Sequence, residues 1–222
     1  MVTIENEKLK AVISSKGAEL QSLVNKETGL EYMWNADPVY WSKHSPVLFP
    51  IVGTLKDDTY FYKDKAYQLP RHGFARERVF LKDQVSISEA VFTLTQDADT
   101  LAVYPFAFSL KLRYKLLDNL LTCTYEVTNT GYDELLFSVG AHPAFAVPMV
   151  KNTVYSDYYL QFNKTEKLHR WRILHGLMAN HAEELPIEND KLLLTHELFY
   201  EDAIDPCSIL HLCSFSVLLN CK

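Results

Sequence analysis

Hydrophobic and polar residues alternate along two neighbouring segments near the middle of the chain. In the segment 108–116, FSLKLRYKL, every second side chain is apolar and the residues between them are polar or charged. The same alternation runs through 121–127, LTCTYEV. A period of two is typical of a half-buried β-strand, and Asp118 and Asn119 between the segments favour a tight turn. The two segments therefore predict an antiparallel hairpin.

Short runs of the same kind recur along most of the chain. Examples are LKAVIS, AELQSLV, VLFPIV and RVFLKDQ, and the run YFYKDKAYQL contains a predicted turn at Lys63 and Asp64. The segments DADTLAVY and LLLTHELF favour only one or two helical turns each. The pattern predicts an all-β chain of antiparallel strands, arranged as a sandwich or a barrel, with few short helices. No repeat or Gly/Ser-rich linker divides the sequence, so we expect one domain over residues 1–222.

Composition limits the surroundings and partners of the chain. Hydrophobic residues make up 48% and charged residues 23% of it, and no apolar run reaches the roughly 18 residues of a membrane span. The first residues, MVTIENEKLKAVISS, lack a secretory pattern, so we expect a cytoplasmic location and no membrane partner. The net charge of -6 disfavours nucleic acid. Four cysteines without CxxC spacing or a secretory context support neither a zinc site nor disulfides.

The segment 68–76, QLPRHGFAR, concentrates candidate binding chemistry directly after a predicted strand. It places Arg71, His72 and Arg76 within six residues around a glycine. A guanidinium group offers a planar fork of donors that suits vicinal hydroxyls, carboxylates or phosphates, and an imidazole exchanges protons near neutral pH. A turn needs the glycine or a proline but none of these three side chains. The segment therefore predicts a binding loop, with a solvated turn as the alternative.

Four motifs, in this order, carry a resemblance to a known family. They are GAELQSL, WNADPVYWSKHSPVLFPIVG, YQLPRHGFAR and SVGAHPAFAVP. Together they make the chain resemble the aldose 1-epimerase (galactose mutarotase-like) superfamily, and within it the bacterial LacX-like proteins, over residues 1–203. The resemblance implies a large twisted antiparallel β-sandwich whose concave face binds a sugar.

The resemblance also implies a reaction. Mutarotation removes the proton of the anomeric hydroxyl, protonates the ring oxygen, and closes the ring again after rotation, so it needs one acid and one base and no cofactor. His142 in GAHPAF matches the histidine that donates to the ring oxygen in the family. Without the motif, a lone histidine in a strand is more often packed or solvent-facing.

Other residues match binding positions of the family. His72 matches the second histidine of the sugar pocket, and Asp202 falls where an acidic residue bonds sugar hydroxyls. Arg76 matches a position near the phosphate in members that act on hexose 6-phosphates, and Arg71 is a second candidate for it. The substrate is therefore expected to be a sugar or a sugar phosphate. The aromatic side chains of the motifs either stack on a pyranose or belong to the core; they are Trp34, Trp41 and Phe74.

The resemblance stops after Ala203. The family continues through further strands to a glutamate that serves as the base, whereas this chain has IDPCSILHLCSFSVLLNCK at 204–222, which we expect to reflect a frameshift. The alternative is that SFSVLLN forms an ordinary terminal strand that covers an open edge. Nothing marks Glu19, Glu134 or Glu197 as a replacement base. Two functions stay open: an aldose 1-epimerase-type isomerase with His142 as acid, and a carbohydrate-binding protein that performs no chemistry.

Overall fold

Short antiparallel strands form most of the protein. The structure is a computed structural model that describes residues 1–162, 167–174, 177–199 and 217–221. Its contacts divide the chain into two compact units, Met1–Ala146 and Val147–Lys222. The strands of the first unit are β1 (Val2–Glu5), β2 (Leu9–Ile13), β3 (Leu20–Asn25), β4 (Val47–Leu48), β5 (Thr59–Tyr62), β6 (Lys65–Gln68), β7 (Leu81–Ser86), β8 (Glu89–Thr95), β9 (Phe108–Leu117), β10 (Leu120–Asn129) and β11 (Gly140–Ala141). Those of the second unit are β12 (Tyr158–Phe162), β13 (His169–Leu174), β14 (Leu177–Glu184), β15 (Lys191–Leu193) and β16 (Val217–Cys221).

The central hairpin is the one that the alternation predicts. β9 and β10 pair antiparallel over ten residues each, in a register that runs from Leu117 opposite Leu120 to Phe108 opposite Asn129. Every second residue of β9 is buried, because its apolar side chains share one face of the sheet. β8 and β7 extend this sheet in the order β10-β9-β8-β7. The predicted hairpin is confirmed.

One core packs against this sheet in the first unit. It includes alternate residues of β9 and β8, which have relative exposures of 6% or less; they are Phe108, Leu110, Leu112, Tyr114, Ala90, Phe92 and Leu94. Burying a large apolar side chain contributes about 1.5–3 kcal/mol, so these positions account for much of the stability of the sheet. The core also takes side chains from β1, β2 and β4, including Ile4, Ile13 and Phe49 just after β4. It therefore anchors the chain on which the candidate site is built.

The predicted turns and short helices occur where the sequence places them. β5 and β6 form a hairpin through Lys63 and Asp64, whose φ angles of 47° and 59° lie in the left-handed region. The one α-helix of the described residues, α1 (Ala98–Val103), lies within DADTLAVY. At the start of the helix the Asp97 carboxylate accepts the backbone N–H of Thr100, and the Thr100 hydroxyl oxygen accepts the backbone N–H of Asp97. The segment LLLTHELF begins at the end of β15 and continues into a short 3-10 turn, His196–Phe199.

The second unit contains two small antiparallel sheets. One has the order β15-β12-β16, and the other is the β13–β14 hairpin. β16 pairs with β12 from Val217 opposite Phe162 to Cys221 opposite Tyr158, so most of SFSVLLN forms a strand along β12. The rest of the predicted tail lies outside the described residues. The all-β class is confirmed, and one domain over 1–222 stays a prediction.

Candidate functional site

Strand β4 lies between the two segments that carry the candidate histidines. On one side it pairs with β11, and the backbone N–H of His142 donates to the carbonyl of Pro46 across 3.2 Å. On the other side Phe49, just after β4, forms a parallel bridge with Gly73 and accepts the N–H of Phe74 across 3.0 Å. The N–H of Phe49 itself donates to the carbonyl of His72. The fold therefore brings His72 and His142 to opposite edges of the same short strand.

His142 points away from the core. Residues opposite each other in an antiparallel pair share a face, and successive residues alternate between faces. Val47, the neighbour of Pro46 in β4, is fully buried in the core, so His142 opposite Pro46 lies on the other face. Its half-buried imidazole packs against the indole of Trp41, with ring centroids 4.8 Å apart and planes at 41°. Within the described residues neither ring nitrogen makes a hydrogen bond, which leaves both available to a ligand.

Two N–H donors contact the ring nitrogens of His72. The backbone N–H of Gly53 donates to its Nδ1 across 3.0 Å. A neutral imidazole has one acceptor nitrogen and one N–H, so this bond requires the proton on Nε2. The Nε of Arg71 lies 3.2 Å from Nε2 and can donate to it only in the other tautomer, so the two contacts compete for the ring. The Gly53 contact is the shorter of the two, so we infer the tautomer in which Nε2 carries the proton.

The turn that carries His72 also gathers both arginines. The Nη2 of Arg76 donates to the carbonyl of Arg71 across 2.8 Å. The Nε of Arg76 is buried and has no hydrogen-bond partner among the described residues. Arg76 lies in a short 3-10 turn, Ala75–Glu77, whose backbone passes so close to Gly17 that a Cβ there would be 2.8 Å from the Arg76 carbonyl oxygen. The predicted cluster of Arg71, His72 and Arg76 is therefore a real spatial cluster.

Glu77 balances part of the positive charge beside this cluster. Its carboxylate lies 2.7 Å from the Nζ of Lys16 and 2.7 Å from the Nζ of Lys43. Hydrogen bonds from these two ammonium groups lower the pKa of Glu77 to about 2. Because Glu77 directly follows Arg76, its bond to Lys43 ties the turn to the segment that carries Trp41.

The other candidate residues from the sequence are Phe74, Trp34 and Asp202. Phe74 is buried at 7% relative exposure within the core, so its role is packing. Trp34 donates its indole N–H to the carbonyl of Trp41 across 2.9 Å. Asp202 lies outside the described residues. Sequence reasoning missed Gly53, because a backbone N–H acts whatever the residue type and leaves no signal in the sequence.

Among the described residues of the first unit, neither Glu19 nor Glu134 forms a hydrogen bond with His142. One oxygen of Glu19 accepts the backbone N–H groups of His44 and Ser45, across 2.9 and 3.1 Å, and so supports the chain that enters β4. Glu134 and Glu197 are exposed. Among the described residues no group of three or more His, Cys, Asp or Glu is arranged to hold a metal ion.

Comparison with known proteins decides the family. The sequence model of the aldose 1-epimerase family matches residues 1–186. This chain belongs to the aldose 1-epimerase family. The chromosomal protein LacX of Lactococcus lactis subsp. lactis is 34% identical over 212 residues, which cover 91% of this chain and 71% of LacX. Membership places the chain in the general class of sugar epimerases and mutarotase-like proteins.

Two solved structures give the same result for the aldose 1-epimerase fold. A galactose mutarotase related enzyme from Lactobacillus acidophilus is 38% identical, with a TM-score of 0.84 over 90% of this chain and 67% of its own. A galactose mutarotase-like protein from Lactobacillus casei ATCC 334 is 39% identical, also with a TM-score of 0.84, over 91% and 70%. The predicted β-sandwich class is therefore confirmed. In the described ranges no helix combines the length and the apolar character that a membrane span requires.

Proposed function

We propose that this chain binds a hexose beside the His142 side chain, next to β4 and β11, and interconverts the anomers of the sugar. The observation that carries the proposal is the pair of histidines at the two edges of one strand, in which His142 makes no ring hydrogen bond among the described residues. Protonation of a ring oxygen requires an acid of this kind. Membership of a sugar epimerase family supports the same reaction.

In this mechanism His142 donates a proton to the ring oxygen while a base removes the proton of the anomeric hydroxyl. The Nε2–H of His72 donates a hydrogen bond to the sugar, and it stabilises the charge that develops on oxygen as the ring opens. Asp202 bonds hydroxyl groups of the sugar, and Arg71 is a second candidate beside Arg76 for a phosphate. The base is unassigned, since the family places it beyond the region of resemblance.

A non-catalytic sugar-binding protein is the second candidate. The observation that favours it is the position of Glu19, whose Oε1 accepts two backbone N–H groups and which forms no hydrogen bond with His142 among the described residues. A pocket with an acid and donors but without a base binds a sugar and leaves its anomers to exchange at the rate in water. The two candidates therefore differ in one group, the carboxylate opposite His142.

Arg76 and the neighbouring Arg71 favour a phosphorylated sugar as one class of substrate. The Nε of Arg76 is buried without a partner among the described residues, and its guanidinium lies beside the backbone of Arg71. A phosphate oxygen satisfies such a donor through a charge-assisted bond, which is about twice as strong as a neutral one. We therefore include a hexose phosphate in the proposal as the substrate that engages Arg76. The cytoplasmic location expected from the sequence belongs to the same proposal.

Anomer exchange measured by NMR magnetisation transfer tests the function. Glucose, galactose and glucose 6-phosphate are each mixed with the wild-type chain, with His142→Ala, and with the control His181→Ala, whose histidine is exposed on β14. The isomerase predicts faster exchange that His142→Ala abolishes and His181→Ala leaves unchanged. Broadened sugar resonances without faster exchange would favour the binding protein. Neither effect with any of the three sugars would refute both candidates.

A further inference from the structure

We propose that Trp41 is a positioning residue for His142, and that the loop 35–44 holds the Trp41 indole against the His142 imidazole. This inference rests on the proposed function of His142. The two rings are in contact, with centroids 4.8 Å apart and planes at 41°. They come from segments far apart in the sequence, so the contact is a product of the fold.

Trp34 fixes both partners of this contact relative to each other. Its indole N–H donates to the carbonyl of Trp41 across 2.9 Å, and its backbone N–H donates to the carbonyl of Ala144 across 3.0 Å. Ala144 is two residues beyond His142 on the same chain segment. Trp34 therefore links the backbone of Trp41 to the segment that carries His142.

Bonds at both ends of the loop hold the rest of it. The backbone N–H of Trp41 donates to the carbonyl of Asp37 across 2.9 Å, which closes a turn before the indole. After the indole, Lys43 forms the ion pair with Glu77 beside the arginine cluster. A partly exposed ion pair contributes little free energy. It nevertheless sets the direction of the loop and links the Trp41 side of the site to the Arg76 side.

The physical need for such support follows from the position of His142. The residue lies one position after β11, a strand of two residues, and only its backbone N–H is bonded to Pro46. A neighbour that blocks other orientations of the imidazole keeps its proton donor directed at the ring oxygen of the sugar. A displacement of about 1 Å in a catalytic group can cost on the order of a hundredfold in rate. Loss of Trp41 is therefore expected to lower kcat and to leave KM nearly unchanged.

The test compares Trp41→Leu, Trp41→Phe and Val39→Ala. Val39 lies on the same loop at 80% relative exposure and serves as the matched control. ¹³C relaxation of the Cε1–H bond of His142 measures how ordered the imidazole is, and anomer exchange gives kcat and KM. We expect Trp41→Leu to lose ring order and about tenfold to a hundredfold in kcat with KM within about twofold. Trp41→Phe is expected to retain most of the His142 ring order and most of kcat. Val39→Ala is expected to resemble the wild type.

The outcomes separate the positioning role from the alternatives. An ordered His142 ring in Trp41→Leu would overturn the proposal, and so would a rise in KM with kcat unchanged, which would make Trp41 a surface for the sugar. If Trp41→Leu does not fold, Trp34→Phe removes the bond to the Trp41 carbonyl and is expected to disorder the ring to a lesser degree. If the wild type accelerates no exchange, the proposed function fails, while the relaxation measurement still decides whether Trp41 orders His142.

Discussion

Gly73 passes so close to Phe49 that a Cβ on the glycine would lie 2.3 Å from the Phe49 carbonyl oxygen. The glycine also has a φ of +70°, in the left-handed region. The close approach is what places His72 beside the strand that carries the site. Only glycine satisfies both conditions.

Gly73→Ala is therefore expected to lower the free energy of unfolding by about 3 kcal/mol or more, since left-handed strain and a backbone clash add together. Gly29→Ala is the matched control, because Gly29 has a φ of +71° but nothing within 4 Å of its Cβ position. We expect a cost of about 1 kcal/mol there. Urea denaturation of both variants measures the difference. Equal costs at the two sites would contradict the close approach to Phe49.

The tautomer of His72 is open to direct observation. Because Gly53 donates to Nδ1, the neutral ring is expected to carry its proton on Nε2. Long-range ¹H–¹⁵N correlation spectra distinguish the two nitrogens, and exposed His181 provides a reference ring in the same spectrum. A proton found on Nδ1 of neutral His72 would mean that the Gly53 bond does not form in solution, and His72 would then be an acceptor toward the sugar.

The carboxylate of Glu77 gives stability a defined pH dependence. Its pKa is lowered from 4.5 to about 2 by hydrogen bonds from Lys16 and Lys43. A group whose pKa is lower in the folded state stabilises the protein above pH 4.5, and this contribution disappears as the pH falls from 4.5 to 2. Because the side chain is half exposed, solvent screening limits the contribution to about 1 kcal/mol or less.

The measurement is the free energy of unfolding of wild type and Glu77→Gln at several pH values. We expect Glu77→Gln to be the less stable at pH 7 and the difference to vanish near pH 2, and to shrink in high salt. Glu7→Gln, at an exposed position between β1 and β2, is the control and is expected to show no such dependence. A difference that persists unchanged at pH 2 would show that the ion pairs are not its source.

The thiol of Cys123 is expected to react slowly. Burial raises its pKa to about 11, against about 8.5 for a free thiol, so the reactive thiolate is about two orders of magnitude scarcer at pH 8. Iodoacetamide labelling followed by mass spectrometry of the peptide that contains Cys123 measures this rate separately from the other cysteines. We expect labelling in urea to be about a hundredfold faster than in the native protein. Equal rates would show that the thiol is accessible in the folded state.

Much of the fold follows from short stretches of the sequence. The β9–β10 hairpin is predictable because strand periodicity and the turn at Asp118 are both local, and the helix α1 begins at an Asp97 cap for the same reason. The cluster of Arg71 and Arg76 is likewise predictable, because its members are neighbours in the chain. Periodic burial and turn chemistry involve residues a few positions apart, so the order of the amino acids is enough to state them.

The sequence by itself determined the all-β class and the family, and it named the candidate residues of the site. Only the tertiary structure decided what those residues touch: the backbone N–H of Gly53 contacts Nδ1 of His72, Trp41 packs on His142, and Phe74 belongs to the core. These contacts join segments that are distant in the chain. They depend on the path of the whole backbone and on backbone groups that every residue possesses. The type of any one residue therefore does not reveal them.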